Sequence, residues 1–239
     1  MITKFNMPVR RSAVAALALV LLAGCSTGPA TLDTSAEATF DGLYPVKGGR
    51  MDEAWARPDT DLSQFTKVML EGAGVEFRPG GKTGKFYSDR MGNRTRYEVM
   101  PGEMEAFKVA MGEAFVEELA KSELFTIVTE AGPDVLLVTG KLLDVVSYIP
   151  PNNVGGRNAT FLSQIGEATL VLELRDSITQ TILVRGVDRK AAENSGQGMT
   201  QTAISVSTSS EFRRLARIWA RLLRDGLDEF LKPEEPASE

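Results

Sequence analysis

Residues 113–146 read EAFVEELAKSELFTIVTEAGPDVLLVTGKLLDVV, a stretch that predicts the end of a helix followed by two strands. The first strand, LFTIVT at 124–129, is short, and the turn residues Gly132 and Pro133 close it. The second strand, 135–149, opens with VLLV, which is apolar on both faces. Such a run is typical of a strand covered on both sides, so we expect 135–149 to lie in the middle of a sheet.

A helix over Pro101–Ser122 leads into this stretch. Pro101 suits the first turn of a helix, and Glu103 and Glu105 suit its positive end. Its apolar residues recur at spacings of three and four, so they share one face, which we interpret as core. These residues are Met104, Phe107, Met111, Phe115 and Leu119.

The final helix is predicted over Glu211–Leu231, with Ser209 or Ser210 as its N-cap. One face of this helix is apolar and the other carries arginines. The apolar residues are Phe212, Leu215, Ala216, Trp219, Leu222, Leu223, Leu227 and Phe230. We interpret the arginines as a solvated face rather than as a membrane-binding surface.

The remaining strands are predicted at 66–71, at 164–175 and at 181–190, the last two forming a hairpin about the turn 176–180. A largely antiparallel sheet with two amphipathic helices predicts an α+β fold. We expect a two-layer sandwich with both helices on one face of the sheet, and a single domain over 40–231.

Three other segments bear on function. The arm 40–58 is too apolar for a free linker, so we expect it to cover an edge or a groove, although an aromatic platform for a ligand stays open. Residues 193–210 are rich in Gly, Ser, Thr and Gln and predict a polar loop, which either lies beside a binding surface or has no role. The tail 232–239 is rich in Pro and Glu and predicts disorder.

Residues 75–99 predict a long irregular hairpin, because glycines that mark turns recur through it. Basic and aromatic residues alternate there: Arg78, Lys82, Lys85, Tyr87, Arg90, Arg94, Arg96 and Tyr97. This surface could bind an anionic glycan, a lipid headgroup or an acidic protein. The alternative is a solvated hairpin whose charges keep an exposed sheet edge soluble.

The N-terminus predicts a secretory signal over 1–24. Basic residues precede an apolar run over 12–23, which is shorter than the roughly 20 residues that a membrane span requires. The run ends in Leu22-Ala23-Gly24-Cys25, which resembles the lipobox of bacterial lipoproteins. That resemblance implies cleavage before Cys25 by signal peptidase II and attachment of diacylglyceryl and acyl chains to this cysteine.

The residue after the cysteine bears on sorting. It is Ser26 rather than Asp, which in lipoproteins of Gram-negative bacteria implies transport to the outer membrane. We therefore expect a lipid-anchored protein at the periplasmic face of that membrane. Residues 25–39 are small and polar and predict a flexible tether.

Composition excludes several classes of function. The 239 residues contain no histidine, which rules out Ser-His-Asp and Cys-His catalysis and argues against a zinc site. Cys25 is the only cysteine, so no internal disulfide can form. Loss of residues 1–24, with three basic and no acidic residues, takes the net charge from −5 to −8 and disfavours a nucleic-acid partner. We expect no cofactor beyond the covalent lipid on Cys25.

Two resemblances follow from these segments. The stretch 113–146 is similar to the helix–strand–strand unit of the periplasmic domain of curli-secretion lipoproteins, without their pore-forming segments. The mature chain as a whole resembles DUF3313, a family of lipoproteins of Gram-negative bacteria. The features that carry this likeness are the lipobox, WARP at 55–58, TKVMLEGAGVEF at 66–77 and LVLELRDSITQTILVRGVDRK at 170–190. The family implies no catalytic residues.

Three functional hypotheses remain. The first is a non-enzymatic binding or scaffolding module of the envelope, with a protein or a glycan as its partner. The second is an enzyme that acts on peptidoglycan or another glycan through carboxylates, for which Asp144, Glu167, Glu173, Asp176 and Asp188 are available. The third is an accessory subunit of a secretion or transport assembly.

Replacing Cys25 with Ala should abolish lipidation and leave the signal uncleaved or the protein mislocalised, because the thiol is the site of acyl attachment. Metabolic labelling with palmitate and the mass of the N-terminal peptide would measure this. A Cys25→Ala protein that is processed and reaches the outer membrane would contradict the prediction.

Overall fold

The computed structural model describes residues 30–78, 87–88, 95–96, 101–147, 164–193 and 201–231. Ten strands lie in these ranges: β1 (Thr31–Leu32), β2 (Tyr44–Lys47), β3 (Glu53–Ala56), β4 (Lys67–Phe77), β5 (Tyr87–Ser88), β6 (Thr95–Arg96), β7 (Thr126–Val128), β8 (Val135–Ser147), β9 (Gln164–Asp176) and β10 (Ile182–Glu193). The helices are α1 (Pro101–Leu119) and α2 (Gln201–Phe230). Within the described ranges, eight strands form one sheet in the order β1-β2-β3-β10-β9-β8-β4-β7, while β5 and β6 pair separately.

The sheet is mostly antiparallel, as predicted. The pairs from β1 to β8 along the sheet are all antiparallel, whereas β4 is parallel to both β8 and β7. Two parallel neighbours require a crossover between them, and α1 supplies it from β4 to β7. Strand β8 lies between β9 and β4, and its opening residues Val135–Val138 are all buried, which confirms the central position predicted for this strand.

Both helices pack on one face of the sheet, so the predicted α+β fold is confirmed. Alternate residues of β9 point toward the helices, since side chains along a strand alternate between faces. The shared core contains Ala168, Leu170, Leu172 and Leu174 of β9, Phe107, Met111 and Leu119 of α1, and Leu215, Trp219, Leu223 and Leu227 of α2. Phe230 departs from the predicted apolar face, because it is 49% exposed.

The prediction of a polar loop over 193–210 is wrong for residues 201–210, which form the first third of α2. Ser209 and Ser210 are therefore inside the helix rather than at its N-cap. Serine and threonine disfavour a helix by only a few tenths of a kcal/mol each, and adding a residue to an existing helix is far easier than starting one. A polar composition therefore did not stop the helix at this point.

Two buried polar contacts join α2 to the rest of the domain. The indole N–H of Trp219 donates to Asp188 of β10 at 2.7 Å, and the ammonium of Lys190 lies 2.6 Å from the same carboxylate. Between the helices, Arg224 lies 3.2 Å from Glu118 of α1, which is 3% exposed. Buried charges that are paired in this way fix the angle and register of α2 over the sheet.

The arm 40–58 is more regular than predicted, and the expectation that it covers an edge is confirmed. Its strand β3 pairs with β10 and β2 pairs with β3, so the arm extends the sheet by two short strands. Residues 31–32, which were predicted to belong to the flexible tether, instead form β1, which pairs with β2 at the edge of the sheet. Leu43 is fully buried, whereas Phe40 is 98% exposed at the tip of the loop before β2.

Replacing Asp188 with Ala should lower the free energy of unfolding by about 1–3 kcal/mol, because the buried N–H of Trp219 loses its acceptor. Urea unfolding followed by tryptophan fluorescence measures this. Asp188→Asn is the matched control, since it retains an acceptor and should be less destabilising. Equal unfolding midpoints for Asp188→Ala and the wild type would show that this bond does not hold α2.

Candidate functional site

The structure describes only some of the residues that the sequence predicted for the lipidation site and for the basic binding surface. Arg78 is described fully, while Tyr87 and Arg96 pair through their backbones in the β5–β6 ladder. That ladder lies within the predicted hairpin 75–99. The other predicted residues lie outside the described ranges: Leu22, Ala23, Gly24, Cys25, Ser26, Lys82, Lys85, Arg90, Arg94 and Tyr97.

Arg78 belongs to a cluster of charges on the sheet. Its guanidinium donates to both carboxylate oxygens of Asp144 and lies 3.3 Å from Glu167. Arg189 of β10 also contacts both acids, at 3.7 Å and 2.9 Å. Asp144 has a φ of 55° at a break in the register between β8 and β9, where the bulge turns its side chain toward the arginines. Arg78 is thus committed to ion pairs within the sheet.

A second cluster joins the arm to the open face of the sheet, opposite the helices. Arg185 of β10 lies 2.8 Å from Glu173 of β9 and 2.5 Å from Asp41 of the arm. Burial acts to raise the pKa of Glu173, but hydrogen bonds from Arg175 and Arg185 outweigh it and lower that pKa. Burial also acts to raise the pKa of Asp41, but hydrogen bonds from Thr39 and Arg185 outweigh it, so that this pKa is lower than its ordinary value.

The carboxylates available to a glycan-cleaving enzyme all have other partners. Asp144 and Glu167 share Arg78 and Arg189, and Asp188 holds Trp219. Backbone N–H groups of Thr179 and Ile178 donate to Asp176 and lower its pKa. A general acid requires a raised pKa, whereas the pKa values of Glu173 and Asp176 are lowered.

A large apolar groove lies on the helix side of the sheet. It has a volume of about 1540 Å³ and lies between the arm, the strands β9 and β10, and the last turns of α2. Leu174 and Val184 contribute to its floor. Leu222 and Phe230 form the helix wall, and Leu32 of β1 also lines the groove.

Two glycines shape this groove. A Cβ on Gly186 would lie 2.2 Å from the sulfur of Met51, so glycine at this position lets the Met51 side chain pack directly on β10, and any larger residue would require that side chain to move. A Cβ on Gly226 of α2 would meet nothing within 4 Å, so this glycine leaves open space on the wall of the groove. Glycine inside a helix costs about 0.5–1 kcal/mol relative to alanine. The open space beside Gly226 is therefore accompanied by a lower stability of α2 than alanine would give.

The rim of the groove is polar. Arg50 of the arm lies 3.0 Å from Glu229 and 3.9 Å from Asp225 of α2, which ties the arm to the helix across the mouth. The hydroxyl oxygen of Thr60 is buried at the groove and has no hydrogen-bond partner among the described residues. A buried hydroxyl without a partner is costly, and because this oxygen is closed off from solvent, a new partner reaches it only when the residues that cover it move.

Sequence reasoning missed the groove because its walls come from residues far apart in the chain, around positions 32–63, 172–186 and 222–231. Two signals were present in the sequence. Gly226 interrupts a face of α2 that is otherwise apolar, and the arm holds more apolar residues than a linker requires. Neither signal shows that the two segments face each other.

The described residues limit other kinds of site. In the described ranges, no three His, Cys, Asp or Glu side chains are placed together so that they could hold a metal ion. In the same part of the chain, neither helix combines the length and apolar character needed to cross a lipid bilayer.

The family model described as "Protein of unknown function (DUF3313)" matches residues 34–223, which include the arm, every strand of the main sheet except β1, and most of α2. The chain belongs to the DUF3313 family. This agrees with the likeness seen in the sequence. Comparison of this DUF3313 protein with curated proteins gives no match.

Several solved structures are similar to the DUF3313 chain. Protein XCC0632 from Xanthomonas campestris, of family DUF330, has a TM-score of 0.37 at 10% identity, over 76% of this chain and 95% of that one. A PelC dodecamer from Paraburkholderia phytofirmans has a TM-score of 0.33 at 7% identity, over 71% and 96%. A minor lipoprotein from Acinetobacter baumannii has a TM-score of 0.32 at 9% identity, over 68% and 94%. Likeness at this level says nothing about function.

The second charge cluster predicts how stability depends on pH. The pKa values of Asp41 and Glu173 are lower in the folded chain than their ordinary values of 3.8 and 4.5. Their contribution to stability is therefore complete above about pH 5 and is lost as the pH falls through the lowered values. Glu173→Gln should weaken the loss of stability on acidification, as measured by urea midpoints from pH 6 to about pH 3.

The matched control for this experiment is Glu123→Gln. Glu123 is exposed and forms no ion pair with the described residues. Its substitution removes the same charge and should leave the pH dependence as in the wild type. An identical pH dependence for Glu173→Gln and the wild type would be evidence against the cluster as a link between arm and sheet.

Proposed function

We propose that this protein is a lipoprotein of the bacterial envelope that binds a ligand without chemical conversion, anchored through Cys25 at the periplasmic face of the outer membrane. The observation that carries the proposal is the groove of about 1540 Å³. Its wall includes Ala30 and Leu32, only a few residues after the cysteine of the Leu22–Cys25 motif. An anchor placed there holds the groove close to the membrane surface.

Binding fits the charges better than catalysis does. A two-carboxylate glycosidase requires a protonated acid and a second carboxylate free to act as base or nucleophile. The acids on the open face of the sheet are held by arginines, and the groove is largely apolar. An apolar groove with few polar groups at its rim is the ordinary form of a binding site.

The anchor determines how long the protein stays at the membrane. One acyl chain holds a protein only marginally, whereas two or more make a lasting attachment. A Cys25 that carries a diacylglyceryl group and an amide-linked chain therefore keeps the domain at one membrane. The basic hairpin 75–99 remains a second candidate contact surface, for an acidic partner or a glycan.

The proposal predicts that the full-length protein sediments with the outer membrane in a density gradient and that its N-terminal peptide carries the mass of a triacylated cysteine. It also predicts no release of sugar from purified peptidoglycan. Recovery in the inner membrane or the soluble fraction would refute the location. Turnover of peptidoglycan that is lost in Glu167→Gln and kept in Glu123→Gln would refute the non-enzymatic role.

A further inference from the structure

The groove has the size and surface for an aliphatic chain. Its volume of about 1540 Å³ exceeds the roughly 300–1,000 Å³ of pockets that hold drug-sized molecules. Leu32 and Phe230, which line it, are 36% and 49% exposed, so apolar surface faces solvent while the groove is open. Covering this surface with CH₂ groups is favourable by the hydrophobic effect, which grows with the apolar area removed from water.

The groove also offers a polar contact. The hydroxyl of Thr60 is buried and has no partner among the described residues, and it is set among the polar residues of the rim. A ligand that combines aliphatic chains with an uncharged oxygen acceptor would satisfy this hydroxyl once the residues that cover it shift aside. The ester carbonyl of a glycerolipid, which lies between the chains and the headgroup, has that arrangement.

The groove is lined by residues close in sequence to Cys25, the proposed site of the lipid anchor, so the anchor would hold the groove near membrane lipids. Ala30, which lines the groove, is five positions after Cys25 in the sequence, and five extended residues span at most about 17 Å. A site held by so short a linker meets the molecules of its membrane at an effective concentration in the millimolar range. Lipids are the molecules present there.

We propose that the groove between the arm, β10 and the last turns of α2 binds a glycerophospholipid of the membrane that anchors the protein. The acyl chains lie on Leu174, Val184 and Leu222, an ester carbonyl accepts from Thr60, and the headgroup remains at the rim beside Arg50. This inference rests on the proposed function, because the anchor on Cys25 is what brings the groove to the lipid.

The chains on Cys25 have the same chemistry but a different role. They hold the protein at the membrane only while they remain in the bilayer, and moving them into the groove would weaken the anchor. We therefore assign the groove to a separate lipid. The test must distinguish the two.

The test uses a photoactivatable fatty acid with a diazirine in its chain, fed to cells that express the full-length protein. Such cells place the probe in phospholipids and in lipoprotein anchors alike. After irradiation, the protein is purified and its peptides are analysed by mass spectrometry. A phospholipid adduct adds the mass of a whole lipid to a groove peptide, whereas a chain on Cys25 gives a crosslink within the protein.

Three variants sharpen the experiment. Gly226→Trp fills the open space on α2 and should reduce phospholipid adducts by about tenfold or more. Gly112→Trp is the matched control, since a Cβ on Gly112 of α1 also meets nothing within 4 Å but this residue does not line the groove, so the variant should be labelled like the wild type. Thr60→Val keeps the shape and removes the hydroxyl, and should reduce labelling by about threefold to tenfold.

The outcomes separate this inference from the proposed function. Phospholipid adducts on peptides of the groove that disappear in Gly226→Trp are the expected result. An anchored protein with no such adducts, with adducts unchanged in Gly226→Trp, or with only a crosslink to its own Cys25 chain overturns the inference and leaves the proposed function standing. A protein without a lipidated N-terminus would instead overturn the proposed function.

Discussion

The structure depends on one strand, β10, and on the buried bond that its Asp188 accepts from Trp219 at 2.7 Å. Three neighbouring residues of this strand face different parts of the molecule. Asp188 holds α2, Gly186 leaves space for Met51 of the arm, and Arg185 reaches Asp41 on the opposite face. The groove exists because the arm and α2 are both attached to β10 and leave a gap between them. A change that loosens α2 from β10 would therefore also change the width of the groove.

Most of the fold could be predicted from local patterns. The spacing of Phe107, Met111 and Leu119 predicted α1, and the apolar run at Val135–Val138 predicted a central strand, because periodicity reports directly on which face is buried. The start of α2 could not be predicted, since the serines and threonines of 201–210 carry only weak preferences that the rest of the helix overrides. The parallel contact between β4 and β8 has no local signal, because partners in a sheet are chosen by the whole fold.

The candidate site was less predictable than the fold, because it too depends on contacts between distant segments that leave no local signal in the sequence. The sequence drew attention to the cations of 75–99, and the one that is described fully, Arg78, neutralises Asp144 and Glu167 instead of awaiting a ligand. The groove had only a faint signal in the sequence, since Gly226 and Met51, which both line it, are 175 positions apart in the chain. Charged residues can be recognised directly in a sequence, whereas a cavity depends on how distant segments are arranged in the folded chain. The charges here mainly position the arm, and the uncharged surface is what remains available to bind.

The central claim is that an anchored domain holds a membrane lipid in the groove beside its anchor. Native mass spectrometry of the full-length protein, released from nanodiscs made of outer membrane, tests it most directly. The predicted spectrum shows the triacylated chain together with a species heavier by one glycerophospholipid. A spectrum that contains only the triacylated chain, under conditions in which a known lipid-binding protein keeps its lipid, would contradict the claim.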